Sequence, residues 1–268
     1  MVDTGGHLAI YAINCIKRIE GKSLQFVWAG VGDNAHRIIL PDPDEPVMGR
    51  VAWGRPEEPM TPAYWAVRCG WEDADRPAFV TEGGSLAEEA AFCLLGGFGI
   101  TYEVNAAAFE RLKADGAFGA QAPEEAWILE RLLEPLNVAG RQIRYRFPRQ
   151  RARRLSTMLA SLEGVSVESL PALELRDFLQ TLEGVGPKTA SWIVRNMLGS
   201  DDVAILDVHV IRACTEMHVF PERASLPKDY GALEQLFLEF ASAIRVRASV
   251  LDAVMWTEMR AGRSALAA

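Results

Sequence analysis

Residues 182–190 read Leu-Glu-Gly-Val-Gly-Pro-Lys-Thr-Ala, and the segments on either side of them decide the fold. Before them, Leu175, Phe178, Leu179 and Leu182 fall at i, i+3, i+4 and i+7; after them, Ala190, Ile193, Val194 and Met197 repeat the spacing. Each set is one apolar helix face. The five residues 183–187 between them leave room only for a tight hairpin. Gly184 and Gly186 permit positive φ and put no Cβ in the way of a partner, while Pro187 is preorganised for a first helical position. Backbone N–H groups at such a turn, facing out from a helix N-terminus, form an anion site that a phosphate fits. The other reading is a helix–helix turn with glycines for geometry alone.

Lys188 then falls in the first turn of the second helix. The positive end of the helix dipole disfavours an ammonium there relative to the free amine, which suits a nucleophile; a solvent-exposed lysine is the alternative. Nineteen residues on, Asp207 stands in Ile205-Leu206-Asp207-Val208-His209-Val210. Aspartate in that place is an ordinary helix N-cap as well as a candidate catalytic carboxylate. His209 reads either as a phosphate contact or as a packed histidine.

Working outward, helical spacing covers most of the chain. Ser85 with Glu88 predicts a capping box ahead of Ala90, Ala91, Leu94 and Leu95. Pro123, Glu124 and Glu125 open a helix with the stripe Leu129, Leu132, Leu133 and Leu136, and Ala152, Leu155, Leu159 and Leu162 form the next. Asp207 precedes a helix ending near Met217, and two more are expected over 229–243 and 247–259. The beginning differs. Residues 24–29 and 36–40 are short β-branched and aromatic runs consistent with strands, and 42–46 and 56–62 have turn and loop chemistry. Trp53, Trp65 and Trp71 read as packing residues. The expected fold is mainly α with a mixed α/β N-terminal region, divided into residues 1–80, without an assigned role, and a helical domain over 81–268.

Of 268 residues, 49% are apolar and 24% charged, the make-up of an ordinary globular protein. No apolar run reaches the roughly 18 residues that cross a bilayer, and residues 1–8 lack signal-peptide order, so a cytoplasmic protein without a membrane partner is expected. Cys15, Cys69, Cys93 and Cys214 include no C-x-x-C pair, so neither a metal site nor an iron-sulfur cofactor is expected. A net charge of −8 and a pI near 5.2 weigh against nucleic acid. Yet residues 141–154 contain seven arginines and no acid. Global acidity does not erase such a local field beyond a Debye length of about 8 Å. With the stripe from Ala152 to Leu162 buried, Arg149, Arg151, Arg153 and Arg154 share an outward surface, either a phosphate-binding patch or a solvated face.

Taken together, Leu182-Glu-Gly-Val-Gly-Pro-Lys188-Thr-Ala and Leu206-Asp-Val-His209 resemble the signature of the helix-hairpin-helix DNA glycosylase superfamily. The lysine-bearing form is similar to the 8-oxoguanine DNA glycosylases and endonuclease III, and the missing four-cysteine cluster points to the former. Arg146-Phe147-Pro-Arg149-Gln150-Arg-Ala152 resembles a stretch of the compact archaeal and bacterial enzymes, and Leu251-Asp252-Ala-Val-Met-Trp256 their last core helix. The likeness covers about residues 85–260.

The resemblance implies a helix-hairpin-helix glycosylase fold in which Lys188 is the nucleophile and Asp207 the catalytic carboxylate. Gly184, Val185, Gly186 and His209 become phosphate contacts, with Arg149, Arg151 and Arg153 added from the basic run. Trp256 and Phe147 become base-pocket aromatics, and Phe98 the residue able to fill the gap left by an extruded base. The implied activity is bifunctional DNA glycosylase/AP lyase action on an oxidised base, foremost 8-oxoguanine, in damaged double-stranded DNA and without a cofactor. Two departures bear on the substrate. Leu94-Leu95-Gly96-Gly97-Phe98-Gly99 stands where relatives often place a polar gap-filling residue. The chain ends Ser264-Ala-Leu-Ala-Ala268 where the compact enzymes use a lysine, leaving Arg260 or Arg263 to substitute. They keep open a base-modifying or DNA-binding component of a bacterial defence complex, with residues 1–80 docking a protein partner.

Overall fold

The computed structural model describes residues 15–19, 22–29, 36–71, 84–97, 99–165 and 170–266. They form two compact units: one joins the described residues before 78 to those from Leu206 onward, and the other lies within Ala78–Ile205. This differs from the division expected at residue 80. Side-chain bonds tie the two ends of the chain together: the Tyr64 hydroxyl donates to Glu258 at 3.1 Å, and Arg68 pairs with the same carboxylate.

The Ala78–Ile205 unit is a helical bundle with one small hairpin. Its helices are α2 (Leu86–Leu95), α3 (Tyr102–Ala114), α4 (Glu125–Leu133), α5 (Pro148–Ser161), α6 (Ala172–Gln180) and α7 (Pro187–Leu198). The capping box expected at Ser85 and Glu88 is present at the start of α2. Strands β6 (Leu136–Val138) and β7 (Arg141–Ile143) pair antiparallel between α4 and α5. The expected stripe on α4 is corrected here. Pro135 disfavours helical backbone at Glu134, whose ψ is 140°, so the helix stops and Leu136 enters the core from a strand. Ile128 and Leu132 are the buried face, and Leu133 is 52% exposed. On α6 and α7 the inward residues are as the spacing predicts, with Leu175, Leu179, Ala190, Ile193 and Val194 buried.

The other unit begins with an antiparallel sheet, β1 (Cys15–Ile19), β2 (Lys22–Ala29) and β3 (His36–Leu40), in the order β1-β2-β3. β1 went unread in the sequence because Lys17 and Arg18 interrupt its apolar run. Gln25, fully buried, donates to the carbonyls of Pro41 and Gly54, both at 2.9 Å. Strands β4 (Pro46–Val47) and β5 (Val51–Ala52) lead to α1 (Pro62–Cys69), and Ile38 packs against Gly70 so closely that a Cβ there would meet its Cδ1 at 2.5 Å. Trp53 and Trp65 are buried core, as the sequence suggests. Three helices complete the unit: α8 (Val208–Glu216), α9 (Tyr230–Ala243) and α10 (Ala248–Leu266), which runs past the expected end near Met259. No helix among the described residues is long and apolar enough to cross a membrane.

Candidate functional site

The hairpin between α6 and α7 closes on a hydrogen bond from the Val185 N–H to the Leu182 carbonyl at 3.1 Å. Val185 is therefore an anchor: its side chain is buried and its amide is used within the turn. The two glycines do different work. Gly184 has φ +88°, and a Cβ on it would stand 2.7 Å from Cδ of Arg154. Gly186 does not use the positive φ open to it; it caps α7 at φ −90° with nothing within 4 Å of where a Cβ would be. The amides of Gly184, Gly186, Lys188 and Thr189 find no acceptor among the described residues. An exposed turn, open space at Gly186 and unsatisfied donors at the positive end of a helix together make a seat for an anion.

Pro187 takes the first position of α7, so Lys188 falls in its first turn as the sequence predicts. Its side chain is half-buried, with Nζ 5.9 Å from the centre of the Trp192 ring. It makes no hydrogen bond or ion pair among the described residues. Behind it lies a polar network that periodicity does not reveal. Buried Glu89 on α2 accepts from Nδ2 of Asn196 at 2.6 Å and from the Cys93 thiol at 3.6 Å, and Asn196 accepts from Nη2 of Arg195 at 2.8 Å. Burial, then the Glu89 charge, pushes the Cys93 thiol well up, against the opposing charges of Arg195 and Lys188. This thiol remains a donor. The signal in the sequence was the pair Arg195-Asn196 beside the apolar stripe of α7, facing an acid one turn into α2.

The basic run serves more than one end. Arg149 is exposed and makes no ion pair among the described residues. Arg153 pairs with Glu183 of the hairpin, and Arg154 approaches the same carboxylate at 3.5 Å. Arg151 turns inward, donating to the Gly96 carbonyl at 2.8 Å beside the Tyr145 hydroxyl, which itself bonds the Leu95 carbonyl. Burial pushes the Tyr145 phenol up, so it stays a donor. Arg146 lies against Gly99, whose φ is +79°, and its guanidinium stands 4.7 Å from the Phe147 ring. The shared outward surface expected of Arg149, Arg151, Arg153 and Arg154 is thus corrected: Arg151 belongs to the end of α2.

Phe147 is 43% exposed and holds φ 64° at the start of α5, a left-handed conformation that disfavours a side chain. Phe98 lies outside the described residues. In the other unit, Asp207 caps α8: its Oδ1 accepts the amides of His209 at 2.8 Å and Val210 at 3.0 Å, leaving Oδ2 without a partner among the described residues. The His209 amide is therefore spent on Asp207, and only its half-buried ring is free to reach a phosphate. Trp256 on α10 is 36% exposed, with the Arg260 guanidinium 5.0 Å from its ring centre, which sets it apart from a core tryptophan.

A family model described as 8-oxoguanine DNA glycosylase matches residues 81–246. An 8-oxoguanine DNA glycosylase/AP lyase of Metallosphaera sedula is 32% identical over 145 residues, which cover 53% of this chain and 71% of that protein. One of Methanocaldococcus jannaschii is 29% identical over 132 residues, 46% of this chain and 61%, less than two thirds, of its own. The crystal structure of the Methanocaldococcus jannaschii 8-oxoguanine DNA glycosylase aligns with a TM-score of 0.49 at 24% identity, covering 64% of this chain and 76% of that one.

Proposed function

This chain belongs to the 8-oxoguanine DNA glycosylase family, whose model spans more than half of it, and we propose that it is a cytoplasmic DNA glycosylase/AP lyase that removes 8-oxoguanine through a Schiff base on Lys188. One observation carries the reading: a half-buried lysine, without a hydrogen bond or ion pair among the described residues, stands in the first turn of α7, directly after a hairpin with amides that suit a DNA phosphate. The phosphate grip holds the strand in register while the base is extruded and read. Trp256 and Phe147, both partly exposed aromatics, are the residues we assign to contact with the extruded base.

The chemistry then follows from the groups present. The free amine of Lys188 attacks C1′, and the electron pair of the N-glycosidic bond leaves with the base, which takes up a proton. The new C–N bond loses a proton from nitrogen, and the sugar ring opens to a protonated imine. Loss of a C2′ proton expels the 3′ phosphate by β-elimination, and water finally hydrolyses the imine to release the enzyme. Asp207, with one oxygen held by the α8 amides and the other without a partner among the described residues, stabilises the cationic sugar and accepts the amine proton.

Borohydride reduction of the imine tests this. Wild type should become covalently trapped on duplex containing 8-oxoguanine; Lys188→Gln should bind the duplex yet lose trapping and strand cleavage, a drop of roughly a thousand-fold or more. Trapping that persists in Lys188→Gln assigns the chemistry to another amine. Asp207→Asn should slow single-turnover excision roughly a hundred-fold while thermal stability barely moves, because asparagine caps a helix as well as aspartate does.

A further inference from the structure

The sheet of the N-terminal region has two unlike faces. Register places Gln25, Val27, Ile38 and Leu40 on one side, where Gln25 and Val27 are fully buried and Ile38 packs on Gly70. The opposite side carries Phe26 and Trp28 on the central strand, Lys17 and Ile19 on β1, and Arg37 and Ile39 on β3. Ile19, Trp28 and Ile39 are 44%, 49% and 45% exposed, far more than an ordinary packed sheet face leaves. Lys17 and Arg37 both reach the Phe26 ring, with Nζ 5.8 Å and the guanidinium carbon 5.6 Å from its centre. Neither cation has an ion pair among the described residues, and the three strands contain no acid in a chain of net charge −8.

We propose that this face binds single-stranded nucleic acid, through residues other than those of the hairpin. Two aromatics at i and i+2 on a central strand stand about 7 Å apart on one face, a spacing that lets neighbouring bases of an extended strand each lie on a ring. Unneutralised cations on the flanking strands then meet the backbone phosphates. A second copy of the chain is a poor occupant, since self-pairing of the face would bring Lys17 and Arg37 against their own kind. An acidic protein would satisfy the cations but gives no reason for two rings in stacking register. The chemistry of the face carries the inference, and only the duplex-cleavage control below rests on the glycosylase reading.

The test uses the full chain and a fluorescein-labelled thymidylate oligonucleotide of about a dozen residues. Anisotropy titrations should show salt-dependent binding that Trp28→Ala weakens roughly five-fold or more, while Trp28→Phe restores most of it. Lys17→Ser with Arg37→Ser should lower the slope of log affinity against log salt by about 1 to 2. Trp28→Ala should cleave a short lesion-containing duplex at the wild-type rate, showing that the fold is intact. Oligonucleotide binding unchanged in all three variants overturns the proposal by placing the strand elsewhere. Displacement of the oligonucleotide by poly-glutamate at equal charge overturns it in favour of an acidic protein partner. A parallel loss of duplex cleavage in Trp28→Ala overturns it by making the tryptophan structural.

Discussion

Two glycine-bearing segments of the Ala78–Ile205 unit use the same residue to opposite ends. In the hairpin before α7, Gly184 turns the chain with Arg154 filling the space beside it, while Gly186 leaves open space over the helix N-terminus, where the amides of Gly186, Lys188 and Thr189 find no acceptor among the described residues. After α2, Gly97 and Gly99 also take positive φ, at +115° and +79°, but the protein fills the space itself: Arg151 stands against Gly97 and Arg146 against Gly99. The α2 carbonyls that would be free there are taken by Tyr145 and Arg151. The helix N-terminus at Gly186 is left open for an anion; the segment after α2 is closed at both of its positive-φ glycines by the chain's own cations. Glycine content alone does not mark a binding loop. What decides is whether the vacated Cβ volume is occupied.

The buried Glu89 network joins the helices that carry these two segments, and breaking it is the most severe test of the contrast. Glu89→Ala leaves the buried Nδ2 of Asn196 without its acceptor, at a cost of up to about 3 kcal/mol, while Glu89→Gln, which keeps an acceptor, should lose about half of that or less. Urea unfolding measures both. Equal losses would mean that α2 and α7 are held by apolar packing, and that hairpin and loop are independent of one another.

A smaller effect separates the segments directly. Gly186→Ala should leave thermal stability unchanged, because its φ is ordinary and nothing is nearby, yet weaken duplex binding roughly ten-fold, the worth of one hydrogen bond to a charged phosphate. Gly99→Ala should do the reverse, costing about 1 to 3 kcal/mol of stability as Arg146 is displaced and the backbone strained. Should Gly186→Ala unfold the protein, or Gly99→Ala leave it untouched, the distinction between open and closed segments fails.

Much of this was legible in the sequence, and the gaps have physical causes. Helices α6 and α7, the hairpin between them and the caps at Ser85 and Asp207 follow from local rules of spacing and capping, which need no knowledge of tertiary contacts. Local rules misled where a neighbour in space decides. Leu136 has helical spacing, but Pro135 sends it into a strand. Arg151 lies off the apolar stripe of α5 yet turns inward, because the Gly96 carbonyl needs a donor. Glycine at 186 permits positive φ as at 184, but one left-handed residue already completes the turn, and which of the two takes it is not written in the local sequence. The Glu89 and Asn196 bond spans more than a hundred residues, and no pattern within either helix announces it. Assignment of Asp207 as a carboxylate partner rests on family likeness, since its capping bonds alone describe any N-cap.

The gentlest test concerns the arginines that border the open segment. Arg149 is exposed and without an ion pair among the described residues, whereas Arg153 shares Glu183 with Arg154 at the edge of the hairpin. An exposed pair of this kind is worth about 1 kcal/mol or less, so it does not hold the fold, but it does neutralise charge where phosphates would arrive. Arg149→Ala should therefore lower the slope of log duplex affinity against log salt by about 1, the release of one counterion, while Arg153→Ala lowers it by less. Glu183→Gln should act in the opposite sense, freeing both arginines, tightening binding and steepening the slope. All three are read from one set of salt titrations. If Arg149→Ala and Arg153→Ala lower the slope equally and Glu183→Gln leaves it unchanged, Glu183 yields its arginines to the duplex, and the hairpin's border is as open as its glycines.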